Sequence, residues 1–123
     1  MKTTLFIATA LIPFQLFQSC KEKDTSCNYL AKGEVCIVLK NRSGKNIQSV
    51  ELLHENGKSE IVTIKDNENG AISFNSPGEN AYTITATFDD GKKVKSKETY
   101  IESGYKMIET IHKDTIVTKH AIW

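Results

Sequence analysis

From Gly33 onward, apolar and polar residues alternate with a period of two, interrupted at short intervals by turn-forming residues. This pattern predicts a succession of short β-strands. Val35, Ile37 and Leu39 alternate with Glu34, Cys36, Val38 and Lys40, and this first strand closes at Asn41-Arg42-Ser43-Gly44. Asn56-Gly57 favours a two-residue type I′ hairpin, which sets Val50, Leu52 and Ile61 on one face. The opposite face carries Leu53, Val62 and Ile64, so both faces are partly apolar and a bulge or a central place in the sheet is expected. Asn69-Gly70 is expected to turn the chain into Ile72 and Phe74. Ser76-Pro77-Gly78 has Pro and Gly at the central places of a type II turn.

The hairpin around Asp89-Asp90-Gly91 can be argued to its register. Tyr82, Ile84, Ala86 and Phe88 form one apolar face, with Ala81, Thr83, Thr85 and Thr87 on the other. A two-residue Asp90-Gly91 loop would bring Lys93, Lys95 and Lys97 onto the core face, where burying ammonium groups is too costly. A three-residue loop with Gly91 left-handed sets Ala86 opposite Val94 and Ile84 opposite Ser96. The lysines then join Thr83, Thr85 and Thr87 on an outer surface. A further strand is expected from Tyr100 through Ser103-Gly104 to Met107, Glu109 and Ile111, with Lys113-Asp114 as a weak turn or bulge before Thr115 to Thr118.

Seven or eight short antiparallel strands without an amphipathic helix predict an all-β fold, a single antiparallel β-sandwich of immunoglobulin-like or prealbumin-like type. The Cys-Trp-Cys spacing of true immunoglobulin domains is missing, since the single Trp is Trp123, the last residue.

The first two dozen residues follow a different rule. Lys2 precedes an apolar run from Leu5 to Phe17 that contains Pro13, ends at Gln18-Ser19-Cys20 and turns charged at Lys21-Glu22-Lys23-Asp24. The run is too short to span a hydrocarbon core, which takes about 20 residues. Ser19-Cys20 resembles the lipobox of bacterial lipoproteins, and the charged stretch after it resembles the tether of Bacteroidota lipoproteins. The chain departs from the family pattern at Phe17 and Gln18, where a leucine and a small residue are preferred. Ordinary secretory cleavage near Ser19 therefore stays open.

The resemblance implies a signal peptide at 1–19, a tether at 20–32 and a β-sandwich domain at 33–123. It also implies thioether attachment of acyl chains at Cys20, with more than one chain for stable membrane anchoring. Lys21 stands where an Asp would retain a lipoprotein in the inner membrane, which leaves sorting to the outer membrane, on its periplasmic or surface face. Residues 41–57 resemble small bacterial β-sandwich proteins generally, and that resemblance carries no functional residues.

Charge and cysteines narrow the partners. Cleavage before Cys20 removes Lys2 alone among charged residues. The 16 Lys and Arg of the full chain then come level with the 15 Asp and Glu, and no electrostatic case exists for nucleic acid. Cys27 and Cys36 remain either as a disulfide suited to an oxidising envelope or as separate thiols, with Cys36 buried in its strand. No Cys/His cluster with metal-ligand spacing occurs, and no cofactor is expected.

Candidate chemistry is sparse. His54, His112 and His120 lack partners at ligand spacing and read as rim or solvent-exposed residues. No Gly-x-Ser-x-Gly or Ser-x-x-Lys motif frames a serine. Glu98, Glu102 and Glu109 offer carboxylates of unread geometry. Asp89-Asp90-Gly91 is far short of a calcium loop. Ala121-Ile122-Trp123 reads as a frayed end or a docking tail.

The row Lys93, Lys95, Lys97 suits an anionic glycan or an acidic protein partner, but lysines and threonines also keep an exposed β face soluble and guard an edge. The expectation is a non-enzymatic, lipid-anchored envelope module for binding or assembly. The alternative is a small envelope inhibitor or immunity protein that neutralises a toxin or lytic enzyme. An enzyme acting on cell-wall substrates is the reading with least support.

Overall fold

The computed structural model describes Cys27 and residues 32–121. Cys20, the leader at 1–19 and Ile122-Trp123 lie outside the described residues, as does the tether apart from Cys27 and Lys32. Nine strands follow one another: β1 (Glu34–Asn41), β2 (Ile47–His54), β3 (Gly57–Ile64), β4 (Asn69–Asn75), β5 (Asn80–Phe88), β6 (Lys93–Lys95), β7 (Thr99–Ile101), β8 (Lys106–Ile111) and β9 (Ile116–His120). They form two sheets, β4-β1-β8-β9 (sheet A) and β3-β2-β5-β6 with β7 also on β5 (sheet B). Among the described residues no helix is long and apolar enough to cross a membrane.

The chain is the all-β sandwich that the period-two pattern predicts. Pairing is antiparallel except between β1 and β8, which run parallel with Ile37 beside Met107. The exception has a local cause. After β7 the chain returns to sheet A at the end where β1 begins, and the N–H groups of Gly104 and Cys36 donate to the carbonyls of Glu34 and Tyr105 at 2.8 and 3.1 Å. The count reaches nine among the described residues because the single strand expected from Tyr100 to Ile111 is broken in two, β7 pairing with β5 in sheet B and β8 with β1 and β9 in sheet A. β7 also joins β5 one residue out of step with β6, since Ala86 pairs with Val94 but Tyr82 with Thr99.

The core lies between the sheets. Val35, Ile37 and Leu39 of β1 meet Val50 and Leu52 of β2 and the continuous inner face Tyr82, Ile84, Ala86 and Phe88 of β5. β1 is buried on its other face as well. Cys36 and Val38 form a second apolar cluster with Cys27, against which Ala71 and Ile108 pack. Cys27 and Cys36 are joined in a disulfide with Cα atoms 5.9 Å apart, within the range the bond accepts. The two cysteines are nine residues apart in sequence, and closing so short a loop in the unfolded chain contributes about 2–3 kcal/mol.

The β5–β6 hairpin has the expected register. Asp89-Asp90-Gly91 is the loop, Gly91 has φ of 92°, and the Phe88 N–H donates to the Lys92 carbonyl at 2.9 Å. The β2–β3 hairpin differs from expectation. Its loop is Glu55-Asn56, with His54 opposite Gly57 and Val50 opposite Ile61, and neither loop residue has positive φ. A distant side chain overrides the local preference: the carboxamide of buried Asn80 accepts from the Glu55 N–H at 2.9 Å and donates to Asn56 Oδ1 at 2.8 Å.

The β2–β3 ladder keeps one register from Ile47–Ile64 to His54–Gly57, so of a bulge or a central place it is the central place that β2 takes, and the irregularity lies on its other side. The β2–β5 register shifts between Ile47 and Ser49, and Thr63 opposite has φ of 58°. Ile47 and Ile64 are thereby turned into the core.

Two turns also depart from expectation. The chain reverses at Lys65–Glu68, with Asn67 at φ of 68°, and Asn69-Gly70 already belongs to β4. Gly70 is used for close approach, since a Cβ there would lie 3.0 Å from Ile64 Cδ1 and 3.1 Å from Ile61 Cδ1. Ser76-Pro77-Gly78 is a bend rather than a type II turn, because Gly78 lacks positive φ. It is held by the Ser76 N–H on the Gly33 carbonyl and by the Ser76 hydroxyl on the Gly78 carbonyl.

Candidate functional site

Strand register maps the outer face of sheet B residue by residue. Thr83, Thr85 and Thr87 run down β5 as a central hydroxyl row. On one side β2 and β3 place Glu51 beside Thr85 and Glu60 beside Glu51; on the other, β6 places Lys95 beside Thr85 and Lys93 beside Thr87. The face is therefore zwitterionic across its width, with carboxylates about 10 Å from ammonium groups at the usual strand spacing. Glu51 also meets Lys58 at 3.3 Å, an exposed pair of little energetic weight.

Lys97 does not continue the row. The one-residue step in pairing falls at Lys97-Glu98, after the Ser96 hydroxyl has accepted the Ile84 N–H at 2.9 Å in place of a backbone carbonyl. Leu53, 51% exposed, stands beside Thr83 and lines a hollow of about 210 Å³ with Glu55, Ala81 and Glu98.

The flank between β7 and β9 carries the second concentration of unusual groups. A cleft of about 570 Å³ runs between Lys97–Tyr100 and Thr115–Thr118. Tyr100 and Val117 are about half exposed at its rim. Tyr100, Tyr105 and His120 touch edge to face in sequence, with ring centroids 6.4 and 4.8 Å apart. The Tyr100 hydroxyl donates to Glu102, and that bond with the carboxylate behind it pushes the phenol up from its ordinary value.

Behind this cleft Glu109 is fully buried. It accepts from the Tyr82 hydroxyl across the two sheets and from the Thr118 hydroxyl at 2.7 Å. Burial raises the Glu109 carboxyl, with the two hydrogen bonds opposing the shift. Burial, reinforced by the nearby carboxyl, also raises the Tyr82 phenol.

A buried carboxyl with each oxygen bonded to a hydroxyl is a polar tie between the sheets. Its sequence signal is its place in Met107, Glu109, Ile111, where a carboxylate occupies a core-facing position of an otherwise apolar alternation.

The remaining candidates are dispersed. His54 stacks on Phe74 with centroids 4.1 Å apart, its Nδ1 accepts the Asn56 N–H at 3.2 Å, and burial lowers its imidazole. His112 caps the β8–β9 turn through its N–H on the Thr115 carbonyl, and His120 belongs to the aromatic row. Glu98, Glu102 and Glu109 each have separate surroundings.

At the β5–β6 loop, Asp90 is bonded to Lys45 Nζ at 2.8 Å and to the Lys92 N–H at 2.9 Å, which hold its carboxyl below the ordinary value. These contacts close the turn internally. Among the described residues no three His, Cys, Asp or Glu side chains are grouped to hold a metal ion.

No family model matches the chain, and no curated protein matches it. Solved structures do resemble it. A protein from Eubacterium rectale, solved by NMR, aligns with a TM-score of 0.61 at 14% identity over 72% of this chain and 91% of the other. The type VI secretion lipoprotein TssJ1 of Pseudomonas aeruginosa aligns at 0.50 with 7% identity, over 76% and 99%. The N-terminal domain of AlgF from P. aeruginosa aligns at 0.48 with 9% identity, over 76% and 100%. At these identities the likeness concerns the sandwich fold.

Proposed function

We propose that this protein is a lipid-anchored, non-enzymatic module of the bacterial envelope, held at the outer membrane through Cys20 and presenting the outer face of sheet B to a protein or glycan partner. The observation that carries this reading is the position of Cys27. It is bonded to Cys36 on the outer face of sheet A. Residues 21–26 separate the two cysteines and span about 25 Å at full extension. An anchor at Cys20 would hold sheet A toward the lipid and sheet B, with its threonine row between Glu51 and Lys95, toward the partner. A disulfide also suits an oxidising compartment. TssJ1, which shares the sandwich fold, is itself a lipoprotein.

The test is fractionation of cells expressing the chain or its Cys20→Ser variant, together with incorporation of labelled fatty acid. The native chain is expected in the membrane fraction and labelled, and the variant released and unlabelled. A variant that remains membrane-bound would sink the anchor.

A further inference from the structure

We infer that β9 is a pairing edge for a second copy of this chain, joining two copies of sheet A into one continuous sheet. The β3, β6 and β9 edges of the sandwich differ in how they are guarded. β6 is three residues long and carries Lys93 and Lys95, and the chain steps out of register directly after it. β3 bears the positive-φ kink at Thr63 and turns straight into β4. Short strands, lysines and kinks are the usual protections of an edge.

β9 has none of the kinks. It pairs with β8 in unbroken register from Ile116 to His120, and among the described residues it ends its sheet. The N–H of His112 bonds to Thr115 and that of Ala121 to Lys106. By the alternation of an antiparallel ladder, the N–H and C=O groups of Ile116, Thr118 and His120 therefore point away from β8.

The side chains select the occupant and its register. Pairing β9 with itself about Val117 sets Ile116 opposite the second copy's Thr118, and Val117 opposite its own equivalent. The two half-exposed valines become a non-hydrogen-bonded pair, the kind whose side chains lie closest. Lys119 then faces Thr115, and His120 faces Asp114, so no like charges are directly opposed. Pairing about Thr118 would instead leave Val117 against Lys119.

The chain outside the described residues points the same way, an argument that rests on the lipid-anchored reading as the edge and register arguments do not. Antiparallel pairing of equivalent edges has its two-fold axis perpendicular to the sheet. Both outer faces of sheet A, and both Cys27 residues, therefore face the same side. Two copies tethered through residues 21–26 to one membrane can pair without strain, and confinement to that membrane raises their effective concentration.

The experiment is cysteine cross-linking of the full chain in intact membranes under mild oxidation, with Cys27 and Cys36 already bonded to each other. Val117→Cys is expected to give a reducible dimer, and Lys119→Cys roughly one-tenth as much, because equivalent Lys119 positions lie far apart in this register. Val117→Lys in the detergent-extracted chain is expected to give monomer by light scattering where the native chain gives dimer. Three results would each overturn the proposal: a Val117→Cys chain whose new thiol reacts with maleimide yet forms no dimer, the same thiol cross-linked to a protein of different mass, or a Val117→Lys chain that stays dimeric. Fractionation of the same cells reads the anchor separately: a cross-linked dimer in the soluble fraction would sink the anchor and leave the pairing, and a membrane-bound monomer would do the reverse.

Discussion

Where β3 turns into β4 the sandwich is sealed by continuous chain, whereas where β7 faces β9 the two sheets part around a cleft. On the sealed flank Gly70 lets the backbone approach Ile61 and Ile64, His54 of one sheet stacks on Phe74 of the other, and the buried Asn41 carboxamide donates across the sheets to the Ile64 carbonyl at 2.9 Å. On the open flank the sheets are tied by the Tyr82–Glu109 bond, behind a rim of exposed Tyr100 and Val117. The comparison separates two uses of apolar surface in one small domain. Side chains on the sealed flank are packed between the sheets, and on the open flank Tyr100 and Val117 stay about half exposed.

The sharpest way to break the comparison is Phe74→Ala. Phe74 is buried and bridges the sheets through its stack on His54. Its loss leaves a cavity at a place pinned on both sides, and the expected cost is about 3–5 kcal/mol, read as a lower urea midpoint at unchanged slope. A cost below about 1 kcal/mol would mean that the flank is sealed by chain continuity alone.

The open flank responds to pH instead. An unfolded Glu109 titrates near its ordinary 4.5, while burial raises its value in the fold. Between those two values the native chain holds a proton that the unfolded chain has released. The contribution is therefore fully present below about 4.5 and is lost as pH rises through the folded value, with a slope of at most about 1.4 kcal/mol per pH unit. Glu109→Gln keeps a hydrogen-bonding side chain of the same shape without the titration, and its stability is expected to be flat across that window. Equal pH slopes for the two proteins, measured by urea unfolding, would show that the tie carries no linked proton.

These features were unequally legible from residues alone. The β5–β6 register followed from one clean apolar face and the cost of burying three lysines, both local quantities. The β2–β3 loop did not, because Asn80, more than twenty residues away, overrides the preference of Asn56-Gly57 through two side-chain hydrogen bonds. Lys97 falls out of the lysine row through a bulge that no local pattern marks. The parallel β1–β8 pair depends on the order in which strands enter each sheet, which alternation does not encode. In the sequence Glu109 stands with Glu98 and Glu102 as a carboxylate of unread geometry, although its place between Met107 and Ile111 is a core-facing one, and its partners Tyr82 and Thr118 are set by tertiary packing. The exposure of Val117 likewise depends on β9 being last in its sheet.

The smallest expected effect on folding is the one that best sharpens the contrast. Val117 is 51% exposed and its side chain lies on the outer face of an edge strand, so Val117→Lys is expected to change the unfolding free energy of the monomer by less than about 0.5 kcal/mol. The measurement belongs at low protein concentration, since pairing adds apparent stability by mass action. Under those conditions native and variant unfolding curves should coincide, and they should separate in favour of the native chain as concentration rises. The residues of the sealed flank predict the opposite behaviour: Phe74→Ala should cost the same at every concentration, because nothing it touches belongs to another molecule. A Val117→Lys cost independent of concentration would place Val117 among the residues that hold the fold and would erase the distinction between the two flanks.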